Sequence, residues 1–508
     1  MLRDTRWAAL AVAGTLVTLL ALAGCVTVVE PWQGGAAVAS PAVQDCAVHF
    51  SALDEAVDRA GVRDAEAARI SGFPYARLDR FSASLLERAR NEDRAHVQWL
   101  TRLQALDAAA RRVEISNLAD ADVNTLQRNG GGRAALLEQT LRCGALLREH
   151  DQSSPDRVEK IRARAQVPDA YLTWQRMAGL YGVTQVPFSR GIAKWHAEAM
   201  RDFQLRDNRK TAHPVTRHAL ADGPEPLPNR AQVAAMLRRA ADNPLGLPDL
   251  SETEKNLLLR AYAPVFEVET GGDYDRVGRL QWTRDGTPQV DVTRPVVYQR
   301  VALTRFGEAT LLQLVYTAWF SERPSDHPFD LLAGKLDGVV IRITLSADGD
   351  PLVYDTIHPC GCYHMFFPTG RVEAVAAPDG AGEWAFAPVT LPAHVVGQRV
   401  AVTIATRSHY VVQVRLDPAD SASASHGYAL VPEDDLRTLP FAAGTRSLYA
   451  PDGLVAGTER GERFFFWPIG IPSAGAMRQW GHHATAFVGR RHFDDADIIE
   501  RRFRIVTP

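Results

Sequence analysis

The chain of 508 residues sets 57 Lys and Arg against 60 Asp and Glu, a formal net charge of −3, with 46% hydrophobic and 23% charged residues. That balance excludes a disordered tail and a nucleic-acid binder working through bulk positive charge. Its 37 Gly and 30 Pro fall short of a fibrous or low-complexity composition, and the length suits about two to three domains.

At the N-terminus, Arg3 and Arg6 precede an uncharged run from Ala8 to Gly24 that ends in small residues and Cys25. This is the order of a charged n-region, an apolar h-region and a processing site. The tetrad Leu22-Ala23-Gly24-Cys25 resembles the lipobox of bacterial lipoproteins, a resemblance confined to residues 1–25. It implies that residues 1–24 leave as a signal peptide and that Cys25, acylated with fatty acids such as palmitate, becomes the first residue of the mature chain. Val26 after the cysteine, rather than Asp, implies the outer membrane in that family's sorting logic, so the expected location is the periplasmic side of the cell envelope. An uncleaved transmembrane anchor is the competing reading, but the run is at the short limit of about 18 apolar residues. Residues 25–45, with Pro31, Gly34, Gly35, Ser40 and Pro41, read as the lipidated cysteine and a flexible spacer.

From Cys46 to Ala263 the pattern is helical. Phe81, Leu85 and Ala89, then Trp99, Leu103, Leu106 and Ala110, recur at helical spacing as core faces. Asn129-Gly130-Gly131-Gly132 marks a turn, and the stretch around Pro214, Pro224, Pro226 and Pro228 a loop or joint. Ser251 and Glu254 have capping-box spacing for a helix from Glu252 to about Tyr262, and Pro264 stops it. The boundary between a helical domain, 46–263, and a β-rich domain, 264–508, is placed there.

Beyond Pro264 the apolar residues alternate between turn dipeptides at Asp285-Gly286, Asp348-Gly349, Asp379-Gly380 and Asp452-Gly453. One hairpin sets Val339, Ile341, Ile343 and Leu345 on one strand face, turns at Asp348-Gly349 and returns from Leu352 to His358. Another joins Leu280 and Trp282 to Val290 and Val292. The expected class is α+β and multidomain, the β-rich part a sandwich-like or curved antiparallel sheet. A propeller stays open as an alternative without a fixed-period repeat to mark it. Asp417 to Gly427 reads as an exposed loop.

One segment concentrates chemistry: His358-Pro359-Cys360-Gly361-Cys362-Tyr363-His364-Met365. On a straight strand residues 358, 360, 362 and 364 share a face, but His358 and His364 then lie roughly 20 Å apart. Pro359 and Gly361 argue for a bend that brings both thiols and one imidazole together. Three readings follow. As a metal site, His358, Cys360, Cys362 and His364 form the donor set of Cu(I) or Zn(II), with His482, His483 or His327 as a distal ligand. As disulfides, the four cysteines after the lipidated one allow three pairings, of which Cys46 with Cys143 and Cys360 with Cys362 is plausible. As a redox pair, a strained Cys360–Cys362 bond is easily reduced.

Other signals are weaker. Glu322, Arg323, Asp326 and His327 read as a strand-end turn with a surface ion pair, or as acid, base and anion contacts in a cleft. Asp494, Asp495 and Asp497 beside Arg490 and Arg491 read as a solvated charge run. Nucleotide-loop, lipase-type, zinc-protease and calcium-loop signatures are absent. The function expected is a lipid-tethered binding or envelope-organising protein rather than an enzyme. Its partners are a membrane through Cys25 and other envelope proteins, not nucleic acid. The competing class is a thiol-disulfide oxidoreductase or an envelope hydrolase without a familiar motif.

Overall fold

The computed structural model describes residues 30, 32, 39–127, 130–205, 213–221, 228–395, 397–418 and 425–506. The stretch expected to be a signal peptide and lipobox, with Cys25, most of the expected spacer, Asn129, Pro224 and Pro226 lie outside the described residues.

Helices dominate the first half: α1 (Pro41–Ala60), α2 (Arg80–Ser84), α3 (Leu86–Asn91), α4 (Asp93–Asn117), α5 (Asp120–Leu126), α6 (Gly132–Gln152), α7 (Pro155–Arg164), α8 (Thr173–Ala178), α9 (Tyr181–Leu205), α10 (Arg230–Ala240) and α11 (Glu252–Ala261). The start of α11 carries the expected reciprocal cap, with Ser251 accepting from the Glu254 N–H and Glu254 from the Ser251 N–H. Trp99, Leu103 and Ala110 of α4 are buried as their spacing predicts. Two strands were not expected here, β1 (Ala68–Ile70) and β2 (Phe73–Leu78), the latter buried throughout. They are too short for their period to be told from a helical turn.

Cys46 of α1 is bonded to Cys143 of α6, closing a loop between residues 97 apart in sequence. Closing so long a loop restricts the unfolded chain, so replacing both cysteines by serine is expected to cost about 2–4 kcal/mol. Urea unfolding of the double variant followed by far-UV circular dichroism checks this. An unchanged midpoint would remove the bridge from the stability of this region.

The second half builds one ten-stranded sheet in the order β11-β10-β9-β8-β7-β15-β3-β4-β13-β14. Its members are β3 (Val215–Leu220), β4 (Val265–Glu269), β7 (Val296–Phe306), β8 (Ala309–Arg323), β9 (Gly334–Leu345), β10 (Pro351–Ile357), β11 (Met365–Pro368), β13 (Gln398–Ile404), β14 (Val411–Pro418) and β15 (Ser425–Pro432). The hairpin of β5 (Arg279–Trp282) and β6 (Pro288–Asp291) stands apart from it, and β12 (Val372–Ala374) pairs elsewhere. Both expected hairpins are present in register, with Asp348-Gly349 and Asp285-Gly286 in their turns. The sheet is mixed, because β15 runs parallel to β3 and β7, and β13 parallel to β4. β3 comes from the stretch read as helical, so the sheet reaches back across Pro264. Ser425 to Gly427, expected in a loop, belong to β15 and pair with β3.

Val339, Ile341, Ile343 and Leu345 pack with Leu312, Leu314 and Tyr316 in the main core. The opposite face is covered as well: Leu311, Leu352 and Phe366 meet Ile498, Ile499 and Phe503 of the C-terminal segment. Near Phe203, α9 packs against Phe367 of one edge strand and along β14, the other, so its C-terminal half lies between the sheet's two edges. The last stretch carries the short helix α12 (Arg463–Phe466) and little regular structure. The run at 490–497 is solvated only in part: Arg490 is exposed and pairs with Asp169, and Asp494, Asp495 and Asp497 are half-buried. Arg491 is buried and donates to the carbonyls of Trp384 and Thr485, and Asp495 accepts from His492.

Candidate functional site: the Cys-Gly-Cys turn

The chemical segment forms the connection between β10 and β11. His358 N–H donates to the Cys362 carbonyl at 3.0 Å and Gly361 N–H to the His358 carbonyl at 2.8 Å, closing the expected bend at Gly361. Gly361 has φ +90°, and a Cβ there would meet the Ala484 carbonyl oxygen at 2.5 Å, so only glycine fits. The bend also decides where the histidines go. Thr356 opposes Met365 across the hairpin, so even-numbered residues of β10 share a face with odd-numbered residues of β11. His358 and His364 therefore leave the turn on opposite faces.

His358 sits over a buried carboxylate of β9. Its Nδ1 is 3.2 Å from Asp337 Oδ1, and His409 Nδ1 is 3.0 Å from Asp337 Oδ2. The other nitrogen of His409 lies 3.2 Å from Asp275, and its ring stacks on Phe320 at 4.1 Å. Arg460 approaches Asp337 at 3.5 Å. Burial pushes the Asp337 carboxyl up, but Arg460 and the two imidazoles hold it well below the usual carboxylate range. Burial likewise opposes charge on His409, yet hydrogen bonds to Asp275 and Asp337 raise it above the ordinary imidazole value. His358 goes the other way, lowered by burial despite Asp337. The cluster thus favours the ionised form of Asp337 and the charged forms of its neighbours His409 and Arg460, and the neutral form of His358.

His364 belongs to a different ion pair. Its Nε2 is 2.8 Å from Asp355, which Arg342 grips with two bonds of 3.0 and 2.6 Å. His482 Nε2–H donates to the Ala65 carbonyl, 2.7 Å away, on the helical side. His483 is buried beside the Pro359 carbonyl and Phe493, its pKa lowered by burial to about 3. His327 is exposed. The four-residue set read from the sequence is therefore split, and among the described residues no group of three or more His, Cys, Asp and Glu has metal-holding geometry.

The two sulfurs stay together. Cys360 is 3% exposed and Cys362 partly exposed, and they are not bonded to each other. Cys362 N–H donates to Cys360 Sγ at 3.4 Å. The Cys362 thiol also donates to Cys360, which lowers the Cys360 pKa against the effect of burial, with Arg460 adding to the drop. The same hydrogen bond, with burial, pushes Cys362 well above the usual thiol range. Arg478 donates to the Cys360 carbonyl at 3.1 Å. Met477, fully buried, packs in the cluster that holds both cysteines, whereas Met365 of the segment points into the main core.

Glu322 to His327 give no cleft chemistry: Arg323 lies over Tyr410, and Asp326 pairs with Arg407 at 2.7 Å. A cleft of ~620 Å³ between the helical region and β7 is lined by charges of both signs, but several pair within it or nearby, Asp79 with Arg102 and Glu66 with Arg300. Asp337, His409, Asp275, Arg460 and Met477 were missed by sequence reasoning. The one legible signal was an acid, Asp337, at the head of the apolar strand Val339–Leu345.

No protein-family model matches the chain, and no curated protein and no solved structure matches it either.

Proposed function

We propose that the chain is a lipid-tethered protein of the bacterial envelope, held through Cys25 with its body in the periplasm, that binds a soft metal ion, Cu(I) foremost, at Cys360 and Cys362. The observation that supports this reading is the pair of unbonded cysteines held in one tight turn, where the Cys362 N–H donates to Cys360 Sγ. Two thiolates satisfy a soft monovalent ion, and Met477, in the same buried cluster, carries a thioether of the same character. Zn(II) needs four donors, and His358 and His364 are held on opposite faces by Asp337 and Asp355. Arg460 and Arg478 offset the charge two thiolates would carry.

Thiol-disulfide exchange is served less well. The sulfur with the lowered pKa is the buried one, and the reachable Cys362 is the one pushed up, the reverse of an attacking thiol's needs. A hydrolase reading has His358 on Asp337, but among the described residues no serine or cysteine side chain is hydrogen-bonded to that ring.

The test uses the chain from Val26 onward, titrated with Cu(I) against a chromophoric chelator. One Cu(I) per chain is expected, lost when Cys360 and Cys362 are both changed to Ser and retained in the Cys46→Ser, Cys143→Ser variant. Two reactive thiols under denaturing conditions with no Cu(I) uptake would overturn the metal reading.

A further inference from the structure

An apolar surface gathers where α8, α9 and α12 meet. Trp174 and Met177 of α8 are 63% and 73% exposed, Leu180 and Val183 at the head of α9 70% and 71%, and Phe464 and Phe465 of α12 68% and 60%. These elements are one unit: Leu172 N–H donates to the Gly470 carbonyl, Phe188 and Phe466 rings meet at 5.6 Å, and Tyr181 OH bonds the Phe487 carbonyl. In the N-terminal half of α9 nothing is fully buried; Ala199 and Phe203 are buried in the core, with Trp195 and Met200 packed partly buried against it, all in the C-terminal half. Two successive helices that show Trp174, Met177 and Val183 to solvent, with Leu180 exposed between them, lack the polar outer face of ordinary surface helices.

What covers it is indicated by charge and by position. From Thr173 to Ala197 there is no Asp or Glu; Arg190 lies farther along α9, Lys194 beyond it pairs with Glu198 at 3.9 Å, and Arg463 stands over the Phe464 ring at 4.8 Å. A Trp- and Phe-bearing apolar face with basic neighbours matches the interface of an anionic bilayer. The chain also enters the fold at this end. Glu30 N–H donates to Ser71, Gly72 N–H donates to the Glu30 carbonyl, and Glu30 pairs with Arg164. Ser71 and Leu172, two residues before Trp174, line the same cleft. Cys25 is five residues from Glu30, at most roughly 17 Å of extended chain.

We propose that α8, the N-terminal half of α9 and α12 form a platform that lies on the anionic bilayer surface, with Trp174, Leu180, Phe464 and Phe465 entering its interfacial layer. The argument from position rests on the lipid tether proposed above; the argument from composition and charge does not. On this arrangement the tether holds the chain at the membrane, and the platform sets which side of the body faces it.

The test is made without the lipid, on the chain from Val26 onward, which keeps every described residue. It is floated with vesicles of phosphatidylethanolamine and phosphatidylglycerol, and with phosphatidylcholine vesicles as the uncharged comparison. Partition into the anionic vesicles is expected, weakened by salt, and reduced about tenfold or more by Trp174→Ser, Leu180→Ser, Phe464→Ser and Phe465→Ser together. Because these side chains are exposed, circular dichroism and Cu(I) uptake of the variant should match the parent. Failure of the folded parent to bind either vesicle overturns the platform. So does sedimentation showing a dimer dispersed by the same four substitutions, which would give the face to a second copy. The mass of the chain extracted from membranes tests acylation of Cys25 separately, so the tether and the platform stand or fall apart.

Discussion

Asparagine in place of Asp337 is expected to lower the free energy of unfolding by about 3–5 kcal/mol, the cost of removing one partner from a buried ionic cluster. Asp337 is fully buried and receives His358, His409 and Arg460. Asparagine keeps the shape but not the charge, so Arg460 and His409 are left in an interior that cannot solvate them. The pH dependence follows from His409, whose folded-state value is raised above 6.5. Its stabilisation is complete below 6.5 and is lost as pH rises through the higher folded value. The deficit of D337N should therefore be largest below 6.5 and fade in part as pH rises through the raised His409 value, leaving the Arg460 share. Urea unfolding over a pH series upward from 6.5, followed by tryptophan fluorescence, measures it. A deficit under about 1 kcal/mol would mean that the carboxylate is not the ionic centre of the cluster.

What could be read beforehand was what is local in sequence. The β9–β10 hairpin announced itself by alternation and Asp348-Gly349, and the start of α11 by Ser251 and Glu254, because each signal lies within a few residues of the structure it specifies. The bend at Gly361 was legible for the same reason. The strand β3 was not: six residues of mixed polarity in a proline-rich stretch gain their place only from β15 and β4, whose sequences lie far away. The site failed at the same distance. The expectation that one of His358 and His364 joins both thiols followed from the bend, but the fold ties each ring to its own carboxylate, His358 to Asp337 and His364 to Asp355. Asp337 and His409 lie 72 residues apart, and the fold alone makes them neighbours. The charge run at Arg490 to Asp497 misled because polar residues on an ordinary surface look the same as polar residues paired under a covering segment.

Glu114 carries the second large effect. On the buried face of α4 it accepts from Arg77 at 2.6 Å, from Arg111 at 3.1 Å and from the Asp64 N–H at 3.1 Å, with no exposure of its side chain. Burial favours its neutral form, but Arg77, Arg111 and Arg69 outweigh that and hold the carboxyl at about 2 against an ordinary 4.5. At about 1.4 kcal/mol per pH unit this is ~3 kcal/mol of stability at neutral pH, present above 4.5 and lost as pH falls toward 2. Glu114→Gln is expected to cost about 3–5 kcal/mol at neutral pH, since it also leaves Arg77 and Arg111 short of a counter-charge. The pH signature separates this from a packing defect. As the parent's own Glu114 protonates, the two proteins become alike, so the difference between them should shrink steadily below about pH 5. Asp107, in the same cluster, is pushed up by burial despite Arg111 and Arg77, so its protonation runs against the loss and flattens the acid limb, less so in the variant because Glu114 adds to that rise. Urea unfolding of parent and variant across that range, followed by far-UV circular dichroism, gives the result. A difference that stays constant with pH would assign the cost to packing and remove Glu114 as the source of acid sensitivity.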